Sequence, residues 1–271
     1  MTSFHGYLKR AILSFLGIFL AQELWASEQS FRVCYEDRSH PPFVLGGDDQ
    51  VPEREPGIFP EMISASLAPL NVSTDFIRRP WKRCLALLKD NEVDAVFPAI
   101  YQKEREALGQ YPLDVAKGEG NPDIDRRLLR VSYMLFARED TLLKWDGKAF
   151  NNVGMSIGAP LGYVVVKRLR EDFGLEANTV HSPEKGLSLV AEKHLSAYII
   201  ERNIGRKLLE KIGRNDELVE LEPAFAEYDW YMMISHKFYS ENKGLSENIW
   251  DEIARYRRDL IERKFEIPLS N

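Results

Sequence analysis

The sequence has 271 residues, a formal net charge of −6 and 44% hydrophobic residues. This composition is typical of a globular protein, and the length allows one large hydrophobic core or two of medium size, which we favour. Lys and Arg are scattered rather than clustered. The sequence therefore argues against a nucleic-acid-binding protein, which needs a basic face to displace the counterions of the phosphates.

The N-terminal segment is typical of a secretory signal peptide. Lys9 and Arg10 precede the apolar run AILSFLGIFLA, and QELWA then leads into the polar stretch SEQS. The run is shorter than the roughly 20 apolar residues that span a bilayer, so we expect cleavage after Ala26, with a retained membrane anchor as the alternative. Leu24 is larger than the small residue preferred at its position, so the cleavage site could be shifted. We expect an exported, soluble protein, which in a Gram-negative bacterium lies in the periplasm.

Two cysteines follow this segment, Cys34 and Cys84. In an oxidising compartment an even number favours a single disulfide, and two buried free thiols are the alternative. Neither cysteine has a histidine or a second cysteine at the spacing of metal ligands. We therefore expect no zinc site and no cofactor.

Predicted strands and helices alternate in the first half of the chain. They are, in order, the strand FRVCYED, the Pro/Gly loop SHPPFVLGGDDQVPEREPG, the helix IFPEMISASLAPL, the strand VSTDFI, the helix PWKRCLALLKDN and the strand VDAVFPAI. Apolar residues recur at helical spacing in the helices, the strands are short, and the prolines exclude a helix from the loop. This order predicts a parallel, doubly wound α/β unit.

Residues 112–128 form a long predicted loop, and the extended stretch LLRVSYMLFAR leads from it into a second unit. That unit repeats the order of strand and helix with VGMSIGA, YVVVKRLREDFG, NTVHS, PEKGLSLVAEKH, LSAYIIE and RNIGRKLLEKI. The extended stretch EYDWYMMISH then returns, and the amphipathic helix GLSENIWDEIARYRRDLIERKF ends the pattern. Two α/β lobes joined by two extended crossovers predict a cleft at the carboxyl ends of the strands, where such sheets bind ligands.

Six segments resemble the periplasmic solute-binding proteins of polar amino-acid transporters, called solute-binding family 3. They are CYEDRSHPPF, GIFPEMISASLAPL, PWKRCLALLKDNEVDAVFPA, KERE, VGMSIGAPLGY and MISHKFYSENKGLSENIWDEIARYRRDLIERKFE. The resemblance implies the two-lobed, type II periplasmic-binding-protein fold. Residues 27–130 and 229–271 would form lobe 1 and residues 131–228 lobe 2, after a signal peptide at 1–26. It also implies a monomer that delivers a small-molecule ligand to the membrane permease subunits of an ABC-type transporter.

Arg105 stands just after the predicted strand VDAVFPAI. Its position matches the arginine that binds the ligand α-carboxylate in family members with the pattern Thr-x-x-Arg, so the resemblance implies this role here. A guanidinium offers a planar pair of donors that matches a carboxylate. The alternative is a solvated arginine that pairs with Glu104 or Glu106. The family's preceding hydroxyl residue is Ile100 or Tyr101 in this chain; we count Ile100 among the ligand-binding residues, and the exact headgroup stays open.

Other residues of the first unit are also predicted at the ligand. Trp81 falls where relatives hold an aromatic residue at the start of the second helix, and Phe43 ends the PPF turn. Aromatic faces on both sides of a cleft would enclose an apolar or cationic group. Asp37 and His40 occupy first-loop positions from which relatives reach the ligand side chain. Core packing is the alternative for the two aromatic residues, and a solvated loop position is the alternative for the two polar ones.

In the second unit, Gly158, Ala159 and Leu161 are predicted at a strand-to-helix turn, where unpaired N–H groups and the helix dipole favour an anion. Relatives usually have Ser or Thr where this chain has Ala159 and Pro160, and Pro160 lacks an N–H, so this half of the carboxylate clamp is weakened or has another use. Glu201 matches the acidic residue that binds the ligand ammonium in the family. An acid that stabilises the start of the following helix is the alternative.

The resemblance implies a binding protein rather than an enzyme, with closure about the crossovers near Arg130 and Tyr228. One rival is an exported enzyme on the same scaffold, because the family includes a few dehydratases; Glu201 would be the general acid or base and His40 its partner. The sequence shows no nucleophile elbow, metal motif or phosphate loop. A second rival is a module that presents its ligand to a sensor, which the sequence does not separate from a transport protein.

Overall fold

The computed structural model describes residues 29–114 and 120–258. The predicted signal peptide and the last part of the predicted C-terminal helix lie outside the described residues. Within the two ranges, no helix is long and apolar enough to cross a membrane.

The first half of the chain forms the predicted α/β unit, which we call lobe 1. Its elements are β1 (Gln29–Glu36), α1 (Ile58–Leu67), β2 (Val72–Arg79), α2 (Trp81–Lys89) and β3 (Ala95–Ile100). Phe31, Val33 and Tyr35 are fully buried along β1, and β1 pairs in parallel with β2 and β3. A helix between consecutive strands is what permits this parallel pairing.

The second half contains the other α/β unit, lobe 2, and the strands that connect the two. These elements are β4 (Leu129–Arg138), β5 (Lys144–Trp145), β6 (Phe150–Asn151), β7 (Ile157–Pro160), α3 (Val164–Phe173), β8 (Asn178–Val180), α4 (Pro183–Ala191), β9 (Ala197–Glu201), α5 (Arg202–Ile212), β10 (Leu218–Ile234), α6 (His236–Glu241) and α7 (Lys243–Tyr256). In lobe 2, β7 pairs in parallel with β8 and β9.

One eight-stranded sheet runs through both lobes, in the order β2-β1-β3-β10-β4-β9-β7-β8. Its two central strands, β4 and β10, are antiparallel to each other and to their neighbours β9 and β3. These are the two predicted crossovers, so the two-lobed α/β prediction is confirmed. The predicted lobe boundaries at residues 130/131 and 228/229 fall inside these strands and stay predictions.

The C-terminal helix packs on lobe 1. Its Trp250 is 1% exposed, and the indole Nε1–H donates to the Met232 carbonyl at 3.0 Å. On lobe 1 the structure also joins Cys34 and Cys84 in a disulfide, with the two Cα atoms 5.5 Å apart. Of the two alternatives that the sequence leaves open for the cysteines, the structure contains the disulfide.

Two elements differ from the sequence-based prediction. Strand β10 begins at Leu218, well before the predicted stretch, and β5 and β6 form a small hairpin where no element was predicted. The hairpin is stabilised by aromatic contacts: the ring centroids of Trp145 and Phe150 are 4.5 Å apart, and Phe225 of β10 lies against both. Such short strands depend on tertiary packing, which a sequence pattern does not reveal.

Candidate functional site

A cleft of about 580 Å³, including its opening to solvent, lies between the lobes. Residues from lobe 1, from lobe 2 and from both crossover strands line it. They are Glu36, His40, Phe43, Val44, Phe59, Trp81, Pro98, Ile100, Arg105, Tyr133, Tyr163, Val164, Ile204 and Trp230. Five of the predicted ligand-binding residues are therefore brought together in one cavity, namely His40, Phe43, Trp81, Ile100 and Arg105.

Arg105 lies in a short 3₁₀ helix, Lys103–Ala107, directly after β3. Its Nη1 donates to the Ile100 carbonyl at 2.9 Å, and its guanidinium lies 5.9 Å from the centroid of the Trp81 ring. Within residues 29–114 and 120–258 it makes no ion pair: the neighbouring acids Glu104 and Glu106 pair with lysines instead. The guanidinium is thus fixed in place and still offers N–H donors to an anion in the cleft.

Six of the fourteen residues that line the cavity are Phe, Tyr or Trp. Phe43 stacks on Phe59 with centroids 5.1 Å apart and planes 14° from parallel, and Trp230 of β10 contacts both rings edge-on. Trp81 is the first residue of α2 and is 7% exposed. Phe43 and Trp81 are each buried in a hydrophobic cluster and also line the cavity, so core packing and ligand contact are compatible for both.

A fully buried arginine, Arg78, holds the loop that follows β1. Its guanidinium donates to the carbonyl oxygens of Leu45, Gly46 and Gln50 at 3.1 Å each, and to that of Glu36 at 3.4 Å. These contacts order the loop that carries His40, Phe43 and Val44 to the cavity, because one planar cation satisfies several carbonyls that would otherwise lack partners.

Glu36, His40 and Tyr163 form a polar cluster at one side of the cavity. Glu36 ends β1, and its Oε2 accepts a 2.8 Å hydrogen bond from the Tyr163 hydroxyl of lobe 2. The same oxygen is 3.8 Å from Nδ1 of His40. Burial lowers the pKa of His40, and the nearby Glu36 opposes that shift only in part. The imidazole is therefore neutral at pH 7.

Two further contacts join the lobes. Lys167 on α3 donates to Glu104 with Nζ and Oε1 2.7 Å apart. Gly162 lies in the turn into α3 with a φ of +87°, and a Cβ atom there would lie 3.2 Å from Cε of Lys82 on α2. A residue with a side chain would be strained by that φ and would crowd the facing lobe. The structure therefore has the lobes in contact, as in a closed state.

The remaining predicted residues lie away from the cavity wall. Gly158 and Ala159 are buried inside β7, where they pair with β8 and β9, and the turn into α3 begins only at Leu161, which is 37% exposed. Asp37 is half-buried, and its N–H donates to the Arg79 carbonyl at 3.2 Å. β7 thus continues to Pro160, one residue beyond the predicted strand. Tyr163 and Val164, which follow the turn, reach the cavity.

Glu201 caps α5 instead of facing the cavity. It is 1% exposed, its Oε2 accepts from the N–H of Ile204 at 2.8 Å, and its Oε1 accepts from the Asn203 amide at 3.1 Å. Burial raises the pKa of its carboxyl to about 7, although the hydrogen bonds favour the ionised form. In this structure the Glu201 side chain caps the start of α5, which is the alternative role that the sequence analysis gives it.

Sequence reasoning missed several cavity residues, among them Glu36, Tyr133 and Tyr163. Two of them carry a signal that could have found them. Glu36 lies at the carboxyl end of β1 beside the predicted Asp37, and Tyr163 follows Gly162 in the quoted segment GMSIGAPLGY. Tyr133 offers no such signal, because it lies mid-strand in β4 and reaches the cavity only through the crossover geometry.

No protein-family model matches the sequence, and no curated protein matches it significantly. Solved structures do match its fold. A mutant of ArgBP from T. maritima superposes with a TM-score of 0.67 at 14% identity, over 89% of this chain and 97% of that one. A histidine kinase sensor domain with similarity to periplasmic binding proteins gives 0.66 at 15% identity, over 85% and 92% of the two chains.

A third similar structure is an ancestral amino-acid-binding protein described as a precursor of cyclohexadienyl dehydratase. It superposes with a TM-score of 0.63 at 13% identity, over 85% of this chain and 90% of that one. The matches span nearly the whole described chain and include both lobes. The protein therefore has the two-lobed fold of the periplasmic binding proteins.

Proposed function

We propose that this chain is an extracytoplasmic solute-binding protein that captures a small carboxylate, an amino acid or a related compound, between its lobes. The observation that carries the proposal is Arg105, whose guanidinium lines an interlobe cavity without an acidic partner among the described residues. A binding site of this kind is concave and mostly apolar, with a few polar groups that fix the orientation of the ligand.

The cross-lobe contacts support capture by closure. A ligand held by Arg105 of lobe 1 and covered by Tyr163 of lobe 2 would contact both lobes only when they are together. It would then shift the equilibrium towards the closed state through its differential affinity. Closure about β4 and β10, near Arg130 and Tyr228, and delivery of the ligand to membrane permease subunits by a monomer complete the proposal.

A second candidate is a module that presents its ligand to a sensor, which the likeness to a histidine kinase sensor domain favours. The two candidates share the same ligand-binding step and differ in the partner. Capture of permease subunits by the ligand-loaded protein supports transport, and capture of a sensor kinase supports signalling.

An enzyme on the same scaffold has less support from the site. Its acid–base candidates are His40 and Glu201, and only His40 lines the cavity, because Glu201 caps α5. Incubation of candidate ligands with the protein separates the two functions: a binding protein returns them unchanged, whereas an enzyme yields product.

Arg105→Ala tests the proposal directly. Loss of one partner from a desolvated, charge-assisted pair costs on the order of 2–5 kcal/mol, so ligand binding should weaken by more than about thirtyfold. The ligand is first identified by mass spectrometry of small molecules released from the purified, denatured protein, and its affinity is then measured by calorimetric titration. Arg83→Ala, on the exposed face of α2, is the matched control.

The apo protein's melting temperature should change little in Arg105→Ala, because the side chain is only half-buried. Unchanged affinity in this variant would refute the assignment of the carboxylate to Arg105. Unfolding of the apo variant would instead identify Arg105 as a structural residue.

A further inference from the structure

Besides Arg105, which is assigned to the ligand carboxylate, lobe 1 supplies polar side chains that could bind a second polar group of the ligand. Glu201 of lobe 2 already accepts hydrogen bonds from the Ile204 N–H and the Asn203 amide, and it does not line the cavity. Glu36 and His40 do line it, on the strand and loop of lobe 1. The cavity is therefore not built like one that binds a ligand ammonium through Glu201.

The histidine supplies a hydrogen-bond acceptor. His40 is 7% exposed, and its Nε2 has no hydrogen-bond partner among the described residues. Its Nδ1 faces Glu36 Oε2 at 3.8 Å, which places the single proton of the neutral ring on Nδ1, since an N–H directed at a carboxylate is attractive and a lone pair is repulsive. Nε2 is left as a buried acceptor, which costs free energy until a donor pairs with it.

The non-polar part of the ligand would contact aromatic side chains. Six of the residues that line the cavity are aromatic: Phe43, Phe59, Trp81, Tyr133, Tyr163 and Trp230. Flat aromatic walls bind a flat apolar group by stacking and edge contacts. They can also hold a cationic group, but the Arg105 guanidinium already lies 5.9 Å from the centroid of the Trp81 ring and would repel a second cation there.

We propose, on the basis of the proposed function, that the ligand is a small carboxylate with a flat ring and a hydrogen-bond donor. Its carboxylate binds Arg105, its ring packs on Trp81, and its hydroxyl or amino group donates to Nε2 of His40. The chemical class is a ring-bearing carboxylate with a hydroxyl or amino donor, and lobe 1 alone recognises its polar groups. Lobe 2 covers the bound ligand.

Calorimetric titration of the protein with matched probes tests this assignment. The ring probes are 3-phenylpropionate, its 2-, 3- and 4-hydroxyphenyl analogues and L-phenylalanine, and the polar probes are L-glutamine and L-arginine. We expect the best donor-bearing ring probe to bind at least about tenfold more tightly than 3-phenylpropionate, which corresponds to one buried hydrogen bond. Both polar probes should bind more weakly than that ring probe.

Variants of His40 assign the donor contact. His40→Leu should reduce the preference for the donor-bearing ring probe to within about twofold while 3-phenylpropionate still binds. His40→Gln keeps an acceptor near the position of Nε2 and should retain part of the preference, so it separates loss of the contact from loss of folding. His194→Ala, an exposed histidine of lobe 2, is the control and should bind all probes as the wild type does.

The outcomes separate this inference from the proposed function. Tighter binding of L-glutamine or L-arginine than of every ring probe overturns the ring assignment and leaves the solute-binding function in place. A preference for the donor that survives in His40→Leu overturns the role of His40. If none of the probes binds and no carboxylate is released from the purified protein, the proposed function fails and this inference fails with it.

Discussion

The two lobes contribute differently to the cleft. Lobe 1 provides Glu36, His40 and Arg105 and three of the six aromatic residues, whereas lobe 2 provides the Tyr163 ring with its hydroxyl and the aliphatic side chains of Val164 and Ile204. The lobes have the same order of strands and helices, so the fold does not dictate this asymmetry. Under the proposed function, lobe 1 recognises the polar groups of the ligand and lobe 2 closes over it.

Lobe 1 is also the better braced of the two at the site. The disulfide joins β1 to α2, and Arg78 ties the first loop to β1 and β2 through four carbonyl oxygens. At the matching edge of lobe 2, Glu201 is used within its own helix start. A braced recognition surface reduces the ordering cost at the moment of binding.

The largest expected effect comes from removing the disulfide of lobe 1. It closes a loop with a sequence separation of 50 residues, so its loss should lower the free energy of unfolding by roughly 4 kcal/mol in the chain-entropy model. Denaturant unfolding of Cys34→Ala/Cys84→Ala measures this, and thiol counting on denatured, unreduced wild type should find no reactive thiol. If the free energy of unfolding falls by less than about 1 kcal/mol, the disulfide does not stabilise lobe 1 substantially.

In lobe 2 the corresponding test is the pH dependence of Glu201. Its folded pKa of about 7 exceeds the ordinary value of 4.5, so the folded state binds the extra proton between these values. The stability contribution of Glu201 is therefore fully present below about pH 4.5 and is lost as the pH rises through 7, a change on the order of 3 kcal/mol.

Glu201→Gln removes that titration and keeps an oxygen that can accept from the Ile204 N–H. Relative to wild type, the variant should gain stability by on the order of 3 kcal/mol as the pH rises from about 4.5 to 8, as measured by denaturant unfolding at each pH. Glu210→Gln, on the exposed face of the same helix, is the control. A constant difference between wild type and Glu201→Gln across this range would show that the folded pKa of Glu201 is not raised above its ordinary value.

The sequence predicts the fold well because its signals are local. Helical spacing, short strands and prolines mark the two α/β units, and the two extended stretches predict the crossovers that β4 and β10 form. Residues of the cavity can be anticipated from the sequence where they lie shortly after the end of a strand, as Arg105 lies after β3. The hairpin of β5 and β6 was missed because its stability comes from aromatic packing against β10.

Other parts of the site depend on geometry that the sequence does not contain. Whether an acid at the end of a strand faces a cavity or caps the next helix depends on the direction of its side chain, and Glu201 and Glu36 differ in this respect. The sequence predicts that the strand VGMSIGA ends at Ala159 and that the following turn includes Gly158 and Ala159, whereas β7 continues to Pro160. Element boundaries of this kind are set by pairing with neighbouring strands.

The smallest expected effect concerns the contact between the lobes. The Lys167–Glu104 ion pair forms only when lobe 2 covers lobe 1, and both side chains are exposed, at 37% and 69%. Exposed pairs are weak and are screened by salt, so Lys167→Ala should weaken ligand binding by only about twofold at low ionic strength, and this difference should vanish near 0.5 M salt, where the Debye length is about 4 Å.

Arg170→Ala on the same helix is the control, since its only ion pair among the described residues is with Glu171 of α3. Calorimetric titration of the released ligand at both salt concentrations measures the effect. A large loss of affinity that persists in high salt would show that lobe 2 contributes to recognition as well as to closure.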